Sequence, residues 1–234
     1  MKINIITIFP EFFQSALETS ILGRAVRAGL VEFEFLQLRD FADGKNKKIV
    51  DDKPFGGGPG MVMKIEPIDR ALEYLEGKGE RGEVILTAAQ GEIFTQRVAE
   101  GWAEDGILVK NEGRDLAQNG NNKGKILTII CGHYEGVDAR VKNLIDREIS
   151  IGQFVLTGGE VAALVMIDAT VRLLKGVLGN EKSLEEESFC MEDKGENELE
   201  YPQYTQPREY KGWKVPEVLL SGNHREIEKW RRGG

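Results

Sequence analysis

The 234-residue chain is long enough for one large domain or two modest ones with an apolar core. It has 31 Lys and Arg against 39 Asp and Glu, a formal net charge of −8, which argues against a protein that binds nucleic acid through its overall charge. Two cysteines, Cys131 and Cys190, with only His133 and His224 beside them, form neither a disulfide framework nor a metal-ligand set. The longest apolar run, 161–167, is too short to span a bilayer. We therefore expect a protein of the reducing cytoplasm, with no resident metal and no membrane partner.

Apolar runs alternate with helical patterns along the first part of the chain. Residues 126–131, ILTIIC, are nearly continuously apolar, with Thr128 as the exception, which favours a central parallel strand covered on both faces. The alternation is typical of an α/β fold with a parallel sheet. Strands are predicted at 2–8, 31–36, 83–87 and 126–131, and helices at 20–28, 66–76 and 95–103.

Three segments are predicted to lie outside these elements. Residues 39–60 are rich in glycine and lack periodicity, and residues 110–125 look like a polar surface insertion. Residues 181–200 are acidic and nearly free of apolar side chains, as a flexible linker would be. The predicted domains are therefore a body at 1–180 and a short tail at 201–234, joined by that linker.

Glycine-bearing turns occur at three places, TAAQG at 87–91, CGHYE at 131–135 and the stretch 151–159. The carboxyl ends of parallel strands meet at one edge of a sheet, so these turns could converge on one pocket. None of them carries a phosphate-binding Lys, and Glu160 follows the last glycine pair, where it would act as a favourable helix N-terminal carboxylate. A plain strand-to-helix turn capped by Asp138 is also compatible with the second of them.

The predicted helix at 159–174 is apolar almost all round, which indicates burial in a core or an interface. Asp168 and Arg172 lie four residues apart on the face that carries Val161 and Val165. An intrahelical ion pair and a functional Arg172 both fit this spacing. Burial favours the second, because a buried charge is costly without a partner or a role.

Several motifs, in the same order, resemble those of the bacterial tRNA (guanine-N1)-methyltransferases that act at tRNA position 37. They are DDKPFGGGPGM, CGHYEGVDAR, SIGQFVLTGGE, a following helix with Arg172, GVLGN and VPEVLLSGNHREIEKW. The family belongs to the SPOUT class. The resemblance implies an α/β catalytic domain with a deep trefoil knot, a homodimer, and a tRNA-binding C-terminal domain that is longer in the family than residues 201–234.

The resemblance also implies S-adenosyl-L-methionine as methyl donor, bound by three loops, and a set of residues for each ligand. The implied donor-binding residues are Leu86, Thr87, Ala88, Ala89, Gly91, Gly132, Ile151, Gly152, Gln153, Phe154, Val155, Leu156, Gly158, Gly159 and Ala162. The implied substrate-binding residues are Asp51, Gly57, Gly58, Pro59, Gly60, His133 and Tyr134.

Three residues are implied to be catalytic, namely Glu187, Arg172 and Glu135. Guanine N1 carries a proton and is a poor nucleophile until a base such as Glu187 removes it. The charge that develops on O6 would be stabilised by Arg172, and without this help a carboxylate of pKa about 4.3 would be too weak a base. Glu135 would lie near the guanine.

This chain departs from the family pattern at four of the matched positions. Glu187 stands where the family usually has Asp, and His133 where it commonly has Arg. Ala89 and Ala162 replace common prolines, so the donor loops could be less rigid. Two other functions remain open at this point. One is a SPOUT methyltransferase with a different RNA target, and the other is a catalytically weakened RNA-binding homologue.

Overall fold

The computed structural model of the chain describes residues 1–43, 48–104, 125–179 and 201–231. Most of the predicted insertion at 110–125 and all of the predicted linker at 181–200 lie outside these residues. The chain divides into two compact units, Met1–Glu181 and Lys182–Gly234.

A five-stranded parallel sheet forms the centre of the first unit, with strand order β2-β1-β6-β5-β7. The strands of this unit are β1 (Lys2–Thr7), β2 (Glu32–Gln37), β3 (Asp51–Asp52), β4 (Val62–Met63), β5 (Glu83–Ile93), β6 (Ile126–Cys131) and β7 (Arg147–Ser150). The short β3 and β4 pair separately in an antiparallel ribbon. The prediction of an α/β fold with ILTIIC as a central parallel strand is confirmed, since β6 lies between β1 and β5.

Helices cover both faces of the sheet. They are α1 (Gln14–Glu18), α2 (Ser20–Arg27), α3 (Ile65–Gly77), α4 (Gln96–Ala103) and α5 (Glu160–Val171). Alternate residues of a strand face opposite sides, so Ile85 and Ile129 pack with α1, α2, α4 and α5, while Leu86 and Ile130 pack with α3. The sheet therefore has one apolar core on each face, as a parallel sheet requires.

Two sheet predictions need correction. The turn predicted at 87–91 lies within β5, which continues to Ile93 with a register irregularity between Thr87 and Glu92. Strand β7 was missed, because Arg147–Ser150 reads REIS and has no apolar run. Its pairing with β5 shows that neighbouring strands, rather than its own composition, determine its structure.

The helix predicted at 159–174 is shorter and less buried than expected. Its regular part ends at Val171, and Arg172 is its C-cap. Ala163, Met166 and Ile167 pack into the core, whereas Val161 and Val165 are 43% and 44% exposed. The face with Asp168 is therefore exposed in the single chain. The apolar pattern of the helix does not show which of its faces is buried and which is exposed.

The second unit contains a hairpin of β8 (Glu209–Tyr210) and β9 (Trp213–Lys214), followed by α6 (Glu217–Leu220) and α7 (His224–Arg231). The Trp230 ring of α7 packs near the rings of Tyr201 and Tyr204, with centroids 6.3 and 6.2 Å apart. Among the described residues of both units, no helix has the length and apolarity needed to cross a membrane.

Candidate active site

A cavity of about 380 Å³ lies at the carboxyl edge of the sheet, beyond β5, β6 and β7. Segments from all three predicted turns line it, so the structure brings them together as the parallel topology suggested. The lining contains these predicted donor-binding residues: Leu86, Thr87, Ala88, Ala89, Gly132, Ile151, Gly152, Phe154, Val155, Leu156, Gly158, Gly159 and Ala162. Gly91 and Gln153 are not among the lining residues.

Backbone contacts between glycines join the walls of the cavity. The Gly159 N–H donates to the Gly132 carbonyl at 2.7 Å, and the Gly132 N–H donates to Thr87 Oγ1 at 3.1 Å. A Cβ on Gly159 would collide with Thr87 Oγ1 and lie 2.8 Å from the Gly132 nitrogen. Glycine is therefore needed at 159 for close packing. Its backbone conformation does not require glycine, because a φ of −81° is open to any residue.

Glu160 is buried at the first position of α5, with only 4% of its surface exposed. Thr7 Oγ1 donates a hydrogen bond to its Oε1 at 2.8 Å, and its Oε2 lies 3.7 Å from His133 Nδ1. The sequence predicted only a favourable helix-terminal carboxylate. The structure adds that the carboxylate lies inside the protein, between β1 and the loop after β6.

His133 and Tyr134 connect this buried carboxylate to the rim of the cavity. The His133 ring makes edge contacts with the rings of Phe9 and Tyr134, with centroids 5.2 and 5.0 Å apart. Partial burial and then the Asp51 carboxylate raise the pKa of Tyr134, while Arg39 opposes the rise. The predicted substrate residues Asp51, His133 and Tyr134 thus lie at one place.

Glu135 lines the cavity and packs against the glycine-rich loop. Its N–H donates to the Met61 carbonyl at 3.1 Å, and a Cβ on Gly60 would collide with its side chain. Gly57, Gly58 and Pro59 are exposed and lie outside the cavity lining. Of these four loop residues, only Gly60 therefore packs against a cavity residue, Glu135. The other three do not belong to the cavity lining.

Of the other two predicted catalytic residues, Arg172 is not among the described residues that line the cavity. Arg172 is half-buried at the C-terminal end of α5, and Glu187 lies outside the described residues.

Asp138 caps the 3₁₀ helix Ala139–Asn143 by accepting a hydrogen bond from the Arg140 N–H, as one interpretation of the second turn predicted. The Arg140 side chain also binds this carboxylate and lowers its pKa to about 2.

Sequence reasoning missed an ion pair on the cavity wall. Lys142 and Glu148 both line the cavity, and their Nζ and Oε2 atoms are 2.8 Å apart. Glu148 belongs to strand β7, which was not predicted. A prediction of that strand would have placed Glu148 near the carboxyl edge of the sheet. Lys142 is the only Lys or Arg among the lining residues that the structure describes, and the pair neutralises it.

The fold and cavity together define an α/β protein with a cavity of small-ligand size at the carboxyl edge of its parallel sheet. More narrowly, the chain belongs to the tRNA (guanine-1)-methyltransferase TrmD family, whose model matches residues 1–115 and 104–234. This confirms the family that the sequence motifs indicated.

Relatives match nearly the whole chain. The tRNA (guanine-N(1)-)-methyltransferase of Dictyoglomus turgidum is 49% identical over 232 residues, covering 99% of this chain and 84% of the relative. The same enzyme of Moorella thermoacetica is 49% identical over 235 residues with the same coverage. The crystal structure of tRNA (m1G37) methyltransferase from Aquifex aeolicus is similar with a TM-score of 0.75 and 39% identity, over 98% of this chain and 87% of that one.

Proposed function

We propose that this protein transfers a methyl group from S-adenosyl-L-methionine to N1 of the guanosine at position 37 of tRNA, in the cytoplasm. The observation that carries the proposal is the three-walled cavity in a chain that aligns over 99% of its length with relatives named for guanine-N1 methylation. Position 37 comes from the name of the Aquifex aeolicus protein, to which this chain is similar over 98% of its length.

The cavity residues suit this donor. About 380 Å³ accommodates a small molecule folded into a compact shape, and the glycines at 132, 158 and 159 let a ligand approach the backbone closely. Lys142, the only Lys or Arg of the described lining, is paired with Glu148, so this part of the wall offers no unpaired Lys or Arg to an anionic ligand. When bound, the donor supplies an electrophilic methyl group on a positively charged sulfur.

The residues assigned to catalysis then act on the guanine. Glu187 removes the proton from N1, and the Arg172 guanidinium stabilises the negative charge that develops on O6. Glu135, on the cavity wall, contacts the base and helps to hold N1 in line with the methyl group. These roles follow from the matched family motifs and from the chemistry of N1, and they form part of the proposal.

The trefoil knot of the SPOUT class is also part of the proposal. Two contacts support it, because they join the loop before α5 to the loop after β6 at the same place. These are the Gly159 N–H to Gly132 carbonyl hydrogen bond and the bridge between His133 and Gly158.

We further propose that the protein is a homodimer. Val161 and Val165 on α5 are 43% and 44% exposed, and Val155, beside the cavity, is 86% exposed. Exposed apolar side chains near a ligand site are typical of an interface. A second copy of the chain would bury these side chains, and a shared site would result.

The substitution Val165→Asp is expected to convert this dimer to a monomer, because it places a charge among the exposed apolar side chains of α5. Light scattering should then give the 26.1 kDa of one chain in place of about 52 kDa for the wild type. Val26→Asp, which changes an exposed valine of α2, is the matched control and should remain dimeric. A wild-type protein that is monomeric while it methylates tRNA would contradict the shared site.

The tail at 201–234 is proposed to bind tRNA. Its hairpin presents Tyr210 and Trp213, 55% and 72% exposed, each followed directly by a cationic residue, Lys211 and Lys214. Exposed aromatic rings beside lysines suit the stacking of unpaired bases. Such a local group of lysines and aromatic rings allows a chain to bind RNA although its net charge is −8.

Trp213→Ala is expected to weaken tRNA binding roughly tenfold, since the loss of one stacked base costs about 1–3 kcal/mol. Filter binding at fixed ionic strength measures this affinity. Leu220→Ala, an exposed apolar truncation in α6, should leave it within about twofold of the wild type. Equal losses in the two variants would refute a stacking role for Trp213.

The proposed activity is tested with unmodified tRNA and donor labelled in the methyl group. Digestion of the product to nucleosides should yield labelled 1-methylguanosine and no other labelled nucleoside. Donor binding without any incorporation at saturating enzyme would indicate an RNA-binding homologue without activity. Label in another nucleoside would indicate a different methyltransferase.

A further inference from the structure

The buried carboxylate of Glu160 lies directly behind the cavity wall. A Cβ on Gly158 would collide with Glu160 Oε2, and Gly158, Gly159 and Ala162 all line the cavity. This oxygen therefore lies against the backbone of a residue that lines the cavity. Glu160 itself does not line the cavity, so its effect on a ligand would be electrostatic rather than a direct contact.

The charge of this carboxylate is only partly compensated. Thr7 donates one hydrogen bond, and the α5 N-terminus lies favourably for an acidic group. Within the part of the chain that the structure describes, His133 is the only group that forms an ion pair with Glu160, and an imidazole is charged only when protonated. His133 Nδ1 is buried and has no hydrogen-bond partner among the described residues.

The charge of Glu160 affects neighbouring groups. Burial raises the pKa of the Cys131 thiol at the end of β6, and the Glu160 carboxylate adds to that rise. A charge inside a protein is screened much less than one in water, so the influence of Glu160 extends to the adjacent cavity. Glu148, which lines the cavity, is already paired with Lys142 and offers little net charge.

We propose that the Glu160 carboxylate is the buried counter-charge that makes the cavity prefer a cationic sulfonium donor to its neutral thioether product. This inference rests on the proposed function, since it takes S-adenosyl-L-methionine as the donor. The two molecules differ by the methyl group and by the positive charge on sulfur. A cavity with this preference also releases the spent thioether more readily than the donor.

The experiment measures two dissociation constants for each variant by calorimetry, one for S-adenosyl-L-methionine and one for S-adenosyl-L-homocysteine. Glu160→Gln keeps the side-chain length and an oxygen that can accept from Thr7, but it removes the charge. We expect it to weaken donor binding about tenfold, or 1.4 kcal/mol, and thioether binding by less than about twofold. The selectivity ratio should therefore fall about five- to tenfold.

Two control variants separate charge from structure. Thr7→Val removes the hydrogen bond to Glu160 but leaves the charge, so both affinities should change together and the ratio should be kept. Glu83→Gln removes one carboxylate at the opposite end of β5, where Glu83 pairs with Arg147, and should also keep the ratio.

An unchanged selectivity ratio in Glu160→Gln, whether the two affinities fall equally or not at all, would overturn the proposal. If the wild type still forms 1-methylguanosine, that result leaves the proposed function intact. A wild type that binds neither ligand would overturn both.

Discussion

The substitution Gly159→Ala is expected to abolish donor binding that calorimetry can measure, and methyl transfer with it. An added Cβ collides with Thr87 Oγ1 and approaches the Gly132 nitrogen to 2.8 Å, so two walls of the cavity must separate. Movement of either wall also disturbs the 2.7 Å hydrogen bond from Gly159 to Gly132. Close-packed interiors transmit such a displacement rather than absorb it.

The same substitution should leave the protein folded. Overpacking of this kind typically lowers the free energy of unfolding by about 1–3 kcal/mol, which denaturant titration can measure. Gly77→Ala is the matched control, because a Cβ at the end of α3 meets no atom within 4 Å. Normal donor affinity in a folded Gly159→Ala protein would show that the contact between these glycine turns is not part of the donor site.

A second large effect is expected for Glu187→Gln. If this carboxylate removes the N1 proton, its amide should lower the rate of methyl transfer by about 10²- to 10⁴-fold. The affinity for the donor should stay close to that of the wild type, because the base acts on the guanine. Single-turnover transfer to tRNA measures the first quantity and calorimetry the second.

Two further variants sharpen that test. Glu186→Gln removes the neighbouring charge and should retain normal transfer. Glu187→Asp restores the residue that the family usually has and should also remain active. Transfer by Glu187→Gln at the wild-type rate would remove this residue from the mechanism.

Continuous apolar runs and glycine-bearing turns allowed much of the fold and of the cavity to be predicted. ILTIIC lies in the middle of the sheet because only a strand covered on both faces tolerates apolar residues on both of its sides, here at every position except Thr128. The convergence of the three turns follows from parallel topology. The roles of Arg172 and Glu187 came from the family resemblance, since no spacing rule relates either residue to guanine.

The features that escaped prediction depend on tertiary contacts. Strand β7 exists because β5 pairs with it, and its own residues carry no strand pattern. The burial of Glu160 depends on Thr7 and His133, which are distant from it in the sequence. The exposure of Val165 could not be predicted because a helix that is apolar all round has no distinguishable faces.

The central claim is most directly tested by mapping the methylated nucleotide in a tRNA transcript treated with this protein and S-adenosyl-L-methionine. A methyl group on N1 blocks the Watson–Crick edge of guanine, so reverse transcription should stop next to position 37. A transcript with adenosine at that position should give no stop and accept no methyl label. A stop at another guanosine, or full-length extension through position 37 after treatment with saturating enzyme, would contradict the assignment.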